Sequence, residues 1–152
     1  MEKRKILNMG LAVLAATVML ATSLNAVNFR EAKASAWESE KSVDAIKKMF
    51  GEGKLHTTDK IRMTAPSLAQ SPSSISVRLK SKMDIETIAF FQDANPRSST
   101  VVFSVPDGQN VDYTFRIKMR QSAFVTVVAK TRDGKLHTLK REIEVNGDGC
   151  GG

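Results

Sequence analysis

The stretch VDYTFRIKMR, residues 111–120, alternates without a break. Val111, Tyr113, Phe115, Ile117 and Met119 fall on one set of positions; Asp112, Thr114, Arg116, Lys118 and Arg120 fall on the other. A period of two matches an extended chain, whose successive side chains point to opposite faces. On a helix the same pattern would spread apolar groups round the whole circumference. The segment is therefore predicted to be a strand with one buried and one wet face. SISVRLK (74–80) repeats the pattern through Ile75, Val77 and Leu79. SAFVTVVAK (122–130) is apolar on both faces, which predicts a central strand. Asp133-Gly134 is a hairpin signal, with KLHTLKREIEV as the return strand. IRMTAP, ETIAFFQ and TVVFSV are shorter candidates, and PSLAQSPSS, DANPRSS and VPDGQN read as turns between strands.

About seven strands at this spacing predict an all-β chain, an immunoglobulin-like β-sandwich. The sustained alternation excludes a doubly wound α/β fold. One segment has helical spacing: in WESEKSVDAIKKMF (37–50), Trp37, Val43, Ile46, Met49 and Phe50 form an apolar face, Ser42 is the expected N-cap, and Gly51 and Gly53 end the helix. Phe90, Phe91, Phe103, Phe115 and Phe124 are expected in the core.

At the N-terminus, Lys3, Arg4 and Lys5 precede the uncharged apolar run Met9 to Leu24. That run is shorter than the ~20 residues that span a bilayer, so it reads as a secretory signal peptide, with export and no stable membrane anchor after cleavage. Cleavage after Ala26 lies close to the apolar run; cleavage after Ala34 or Ala36 fits the small-x-small rule better. The chain thus divides into a signal peptide and processing region (1–36), a β-sandwich domain (37–146) and a Gly-rich arm (147–152). The whole chain carries +7; its first 36 residues hold five Lys/Arg and two Glu, leaving +4 on the remainder. That mild excess, without a dense Lys/Arg cluster, makes nucleic acid an unexpected partner. It suits small anions or acidic partners.

His56 and His137 are far apart in sequence, with no metal-ligand spacing around them. C-x-x-C and H-E-x-x-H are absent, and no Gly-rich loop joins a strand to a helix, so no metal, haem or nucleotide site is expected. Arg116, Lys118 and Arg120 read as a solvated strand face.

The distinctive feature is the ending, NGDGCGG. Cys150 is the single cysteine of an exported chain, so it cannot pair internally. Gly147, Gly149, Gly151 and Gly152 surround it with backbone alone, and this tail is expected to form a flexible arm rather than fold. Seven residues beyond Val145, fully extended, reach about 23–25 Å. A thiol on such an arm can enter a deep pocket of another protein. Thiolate attacks sulfur electrophiles, and the S–S bond so formed can be broken again. An ordinary thiol has a pKa of about 8.5, and nothing in the tail lowers it, so activation has to come from a partner. The pattern fits a carrier, not a catalyst. The alternatives are an interaction module tethered through an intermolecular disulfide, and a carrier that loads sulfur on its terminal carboxylate, which needs an ATP supply that an exported protein lacks.

Several segments resemble the SoxY family, the thiosulfate-carrier subunits of the periplasmic sulfur-oxidising (Sox) system. These are Gly149-Cys150-Gly151-Gly152, the preceding DGKLHTLKREIEV, and FFQDANPRSSTVVFSV, FRIKMRQSAFVTVVAKT and IRMTAPSLAQ; together the resemblance covers about residues 43–152. It implies an immunoglobulin-like sandwich that forms a heterodimer with a SoxZ-like subunit. It implies no resident cofactor, but a covalent sulfur adduct on Cys150, first a thiosulfonate and later a persulfide. The implied partners are a c-type cytochrome complex that loads the adduct, a hydrolase that releases sulfate, and a sulfur dehydrogenase. A heterodimer calls for an apolar outer sheet face, and SAFVTVVAK, through Phe124 and Val128, is the expected one. Two features depart from the family. Asp148 replaces a glycine, which places a carboxylate near an anionic adduct at a cost of about 1 kcal/mol at ~4 Å in water. Lys3-Arg4-Lys5 contains no twin-arginine pair, which leaves the export route open.

Overall fold

A computed structural model describes residues 27–146 of the chain. They form α1 (Phe29–Ala32), α2 (Ala34–Trp37), α3 (Ser42–Phe50), β1 (Leu55–Thr57), β2 (Ile61–Thr64), β3 (Leu68–Ala69), β4 (Ile75–Ser81), β5 (Ile85–Gln92), β6 (Ser99–Ser104), β7 (Val111–Ile117), β8 (Ala123–Thr131) and β9 (Leu136–Val145). The strands make the immunoglobulin-like sandwich expected from the alternation. One sheet has the order β1-β9-β8-β5-β6, with β3 also on β9; the other has the order β2-β4-β7. Two strands exceed the expected seven. β1 and β3 are too short to carry a periodic signal, and both run parallel to the long β9 along its outer edge.

The period of two is visible in the burial. β4 alternates perfectly, with Ile75, Val77 and Leu79 inward. Val111, Ile117 and Met119 from the β7 segment join them, facing Ile88 and Phe90 of β5 and Val125 and Val127 of β8. Phe103 and Phe115 close this core half-buried, with Phe115 edge-on to Phe90 at 5.4 Å. β8 lies between β9 and β5, so its expected central position holds. Asp133 and Gly134 make the β8–β9 turn, where Gly134 takes φ +83°, the left-handed region glycine tolerates without strain.

The outer face of the large sheet is covered by the helices. Ala89, Phe91 and Val128 pack against Ala36, Ala45, Ile46 and Met49. Three expectations change here. Residues 37–50 are not one helix: Trp37 ends α2, where its indole N–H donates to the Phe29 carbonyl at 3.0 Å. The buried stripe of α3 is Ser42, Ala45, Ile46 and Met49, an i, i+3, i+4, i+7 set, and Val43 falls off it and is exposed. Ser42 is not the cap; it is the first helical residue, and Asp93 from the β5–β6 loop accepts from its amide and its hydroxyl, both at 2.8 Å.

The same helices correct the expected partner face. Val128 is fully buried under the chain's own α-layer. Phe124, expected in the core, is instead 46% exposed, with the Lys140 ammonium 4.5 Å from its ring centre. The chain's own helices thus cover Val128, while Phe124, on the same face of β8, stays open, so the expected partner face survives only at Phe124.

Candidate functional site

Cys150 lies outside the described residues, together with Gly147, Asp148, Gly149, Gly151 and Gly152. The described structure delivers the chain to Asn146 and fixes that point. The Glu144 amide donates to the Ser67 carbonyl at 2.8 Å, and the Asn146 amide to the Ala69 carbonyl at 3.0 Å. Between them, the Val145 amide donates to the Ser122 hydroxyl at 2.8 Å. Three successive backbone donors are thus held, two by β3 and its approach and one by the segment leading into β8. The root of the arm is part of the sandwich, and Cys150, four residues on, is at most about 13–14 Å away.

Beside this root opens a cavity of about 900 Å³. One wall is Gln70 to Ser73, continuing directly from Ala69 of β3; another is Arg116 to Arg120, which leads to Ser122; Gln92 and Asn95 also line it. Arg97, Arg116, Lys118 and Arg120 all line it, and no carboxylate does. Among the described residues, none of these four cations forms an ion pair.

The backbone that carries them is braced. The Lys118 carbonyl accepts from Gln92 Nε2 at 3.2 Å and from Asn95 Nδ2 at 2.8 Å. The Met119 amide donates to the Pro72 carbonyl at 3.0 Å, and the Arg120 amide to Asn95 Oδ1 at 3.1 Å. Arg116 Nη1 donates to the Ser74 hydroxyl at 3.3 Å, and Arg97 Nη1 to the Glu38 carbonyl. Gln92 Oε1 is buried and has no hydrogen-bond partner. The basic residues are exposed, as a solvated strand face would be, but they are gathered into a concavity. β7 ends at Ile117, and the following residues are drawn against the β5–β6 loop by Asn95. Sequence reading missed Gln92, Asn95 and Arg97. DANPRSS reads from sequence only as a turn, although an Asn in such a polar loop has a side chain suited to bonding backbone groups.

Other charges are paired at the surface. Asp112 accepts from Arg78 at 2.8 and 2.9 Å, with Lys80 at 3.4 Å. The Arg78 hydrogen bond holds the Asp112 carboxyl below its ordinary range, and the same contact raises Arg78. In the β8–β9 turn the Thr131 hydroxyl donates to Asp133 Oδ1 at 2.5 Å, and this bond, with those from Lys135, holds Asp133 well below the usual carboxylate range. Such exposed pairs tune local geometry and add little stability.

His56 and His137, far apart in sequence, are register partners on parallel β1 and β9, with ring centres 6.0 Å apart. Among the described residues, no three His, Cys, Asp or Glu side chains group as a metal site. Among the same residues, no helix is long and apolar enough to cross a membrane.

Comparison with known proteins bears on both fold and site. No curated protein sequence matches the chain. Among solved structures, the sulfur carrier protein SoxY from Chlorobium limicola f thiosulfatophilum is similar, with TM-score 0.63 and 26% identity, over 68% of this chain and 94% of that one. A superoxide reductase (neelaredoxin) from Ignicoccus hospitalis matches with TM-score 0.53 and 17% identity, over 60% of this chain and 95% of that one, a likeness of fold. The family model described as sulfur oxidation protein SoxY matches residues 46–150, a span that ends on Cys150. With more than two thirds of its length inside that match, the chain belongs to the SoxY family of sulfur oxidation proteins.

Proposed function

We propose that this protein is a periplasmic sulfur carrier. It holds thiosulfate-derived sulfur covalently on Cys150 and presents it to the enzymes of a sulfur-oxidising system. The observation that carries this reading is the family match extending to Cys150, on a chain whose last described residue, Asn146, is anchored to the sandwich. A fixed root and a short reach suit a thiol that is delivered into other proteins' pockets. The similar Chlorobium protein is itself a sulfur carrier.

The chemistry balances without any catalytic group on this chain. Loading breaks the Cys150 S–H bond, joins its sulfur to the outer sulfur of thiosulfate, and releases one proton to solvent and two electrons, which a c-type cytochrome complex accepts. Water then attacks the terminal sulfur of the thiosulfonate. The S–S bond to that sulfur breaks, sulfate and two protons leave, and a persulfide remains on Cys150. A hydrolase performs that step, and a sulfur dehydrogenase oxidises the persulfide. The carrier works as a heterodimer with a SoxZ-like subunit.

The test is the intact mass of protein isolated from the periplasm during growth on thiosulfate, before and after a thiol reductant. A removable increment of sulfur or sulfur oxyanion on the C-terminal peptide is the expected result. A clean thiol, or a stable protein–protein disulfide, overturns the carrier role and leaves a tethered interaction module. In parallel, Cys150→Ala should fold normally and support no thiosulfate-dependent electron flow.

A further inference from the structure

We infer that the basic cavity beside Asn146 is a docking face for the enzymes that receive the arm, and that the matching rim of those enzymes is acidic. The inference rests on the carrier reading and adds the chemistry of the partner surface to it.

The first step is reach. Cys150 is four residues beyond Asn146, so the thiol stands at most about 13–14 Å from it. Asn146 cannot advance toward a partner, because its amide is bonded to Ala69 and the preceding amide to Ser122. A partner whose reacting group lies below its surface must therefore bring its rim closer to Asn146 than this reach of about 13–14 Å. Whatever side chains surround the root become interface.

The second step is what surrounds it. Ala69 continues into Gln70, and Ser122 follows Arg120 by two residues; Gln70 and Arg120 both line the cavity. The cavity holds four cations and no carboxylate, and among the described residues none of the four is ion-paired. What sets these four apart is their grouping: Arg78 and Lys80 share Asp112, and Lys130 meets Glu86, whereas the cavity gathers four cations with no carboxylate in its lining. Unpaired like charges in one concavity repel one another, and a carboxylate-rich surface seated there relieves that repulsion.

The third step is preorganisation. Asn95 and Gln92 lock the Lys118–Arg120 backbone, and Ser74 holds Arg116, so the charges are presented on a fixed frame and little of it has to be ordered on docking. A fixed positive face steers an acidic partner by long-range attraction, so it acts mainly on the rate of association and weakens with salt.

The experiment uses the full chain in its native complex and the thiosulfate-oxidising c-type cytochrome complex of the same organism. Association rates are followed from low to high ionic strength for the wild type and for Arg116→Gln, Lys118→Gln and Arg120→Gln combined, the Glu versions of the same three, and Arg120→Lys. The expected result is a graded loss at low salt, about tenfold for the neutral set and more for the reversed set, with Arg120→Lys close to wild type and all rates converging at high salt. Melting temperature and the rate of Cys150 alkylation by iodoacetamide report whether fold and thiol are intact.

Equal rates and equal salt dependence in all variants overturn the docking face. So does a loss of sulfate or thiosulfate binding, titrated by NMR, with partner association unchanged, because the cavity is then a small-anion site. Neither result touches the carrier reading, which is tested separately in the same preparation: it falls if Cys150→Ala still sustains electron flow.

Discussion

Asp93 and Ser42, 51 residues apart, are joined twice: one carboxylate oxygen accepts the Ser42 amide and the other its hydroxyl. The cap of α3 is therefore supplied by the β5–β6 loop and not by the helix's own flank. The same loop donates the Ser98 amide to Ser39, and Ser99, the first residue of β6, donates its hydroxyl to the Ala36 carbonyl. Through Asn95 the loop also grips the segment that carries Lys118 and Arg120. Seven residues thus fasten the helical layer to one side and the basic cavity to the other.

Replacing Asp93 by Ala leaves two donors of the first turn unsatisfied. The expected loss is about 1–2 kcal/mol, with Asn at the same position recovering part of it. Chemical denaturation measures it, and an unchanged midpoint would show that the cap is idle.

Phe91 is fully buried between the large sheet and the helices, edge-on to Phe50 at 6.5 Å. Phe91→Ala is expected to cost about 3–5 kcal/mol, the range for a buried aromatic. Its amide-exchange signature should centre on α3, because Phe91 faces the helices while Phe90 faces the other sheet.

The pH dependence of the Arg78–Asp112 contact has a definite sign. Asp112 titrates lower in the folded protein than its ordinary 3.8, mainly through the Arg78 hydrogen bond. Its contribution is present above that ordinary value and is lost as pH falls through the folded one. In Arg78→Gln the Asp112 titration followed by NMR should move back up toward 3.8. Any stability difference between variant and wild type should be present at neutral pH and vanish in strong acid.

The N-terminal helices bear on processing. Ala36 is fully buried, its carbonyl accepts the Ser99 hydroxyl at 2.8 Å, and Trp37 bonds back to Phe29. Cleavage after Ala36 would strip these contacts and remove Ala36 and Phe29 from the cluster that holds Phe91 and Val128. On the proposed export, processing is expected to leave a chain that begins at or near Val27, which N-terminal sequencing checks. A chain starting at Trp37 is expected to be less stable by about 2 kcal/mol, the scale of uncovering one large apolar side chain.

The parts of this fold that follow a local rule were legible in the chain. β4 and β7 announced themselves by strict alternation, β8 by apolar residues on both faces, and the β8–β9 turn by Asp133-Gly134. What escaped depends on distant pairing. A distal Asp93 cannot be told from a loop acid until the loop is folded onto the helix. His56 and His137 become neighbours through a parallel register that a three-residue strand cannot signal. Val128 looked like a face waiting for a partner, because one strand's pattern does not say whose side chains cover it. Arg116, Lys118 and Arg120 were correctly placed on an open face, but their concavity depends on Asn95 and Gln92.

The pinning of β9 at its exit has a mechanical consequence. A pull on residues beyond Asn146 directed along β9 acts on a strand laced to β8 on one side and to β3 and β1 on the other. Force in that direction loads the ladders in shear, so many hydrogen bonds share it and must yield together, whereas a perpendicular pull would unzip them singly. Withdrawal of the tail from a tight pocket should therefore break the grip at the pocket before it disturbs the domain.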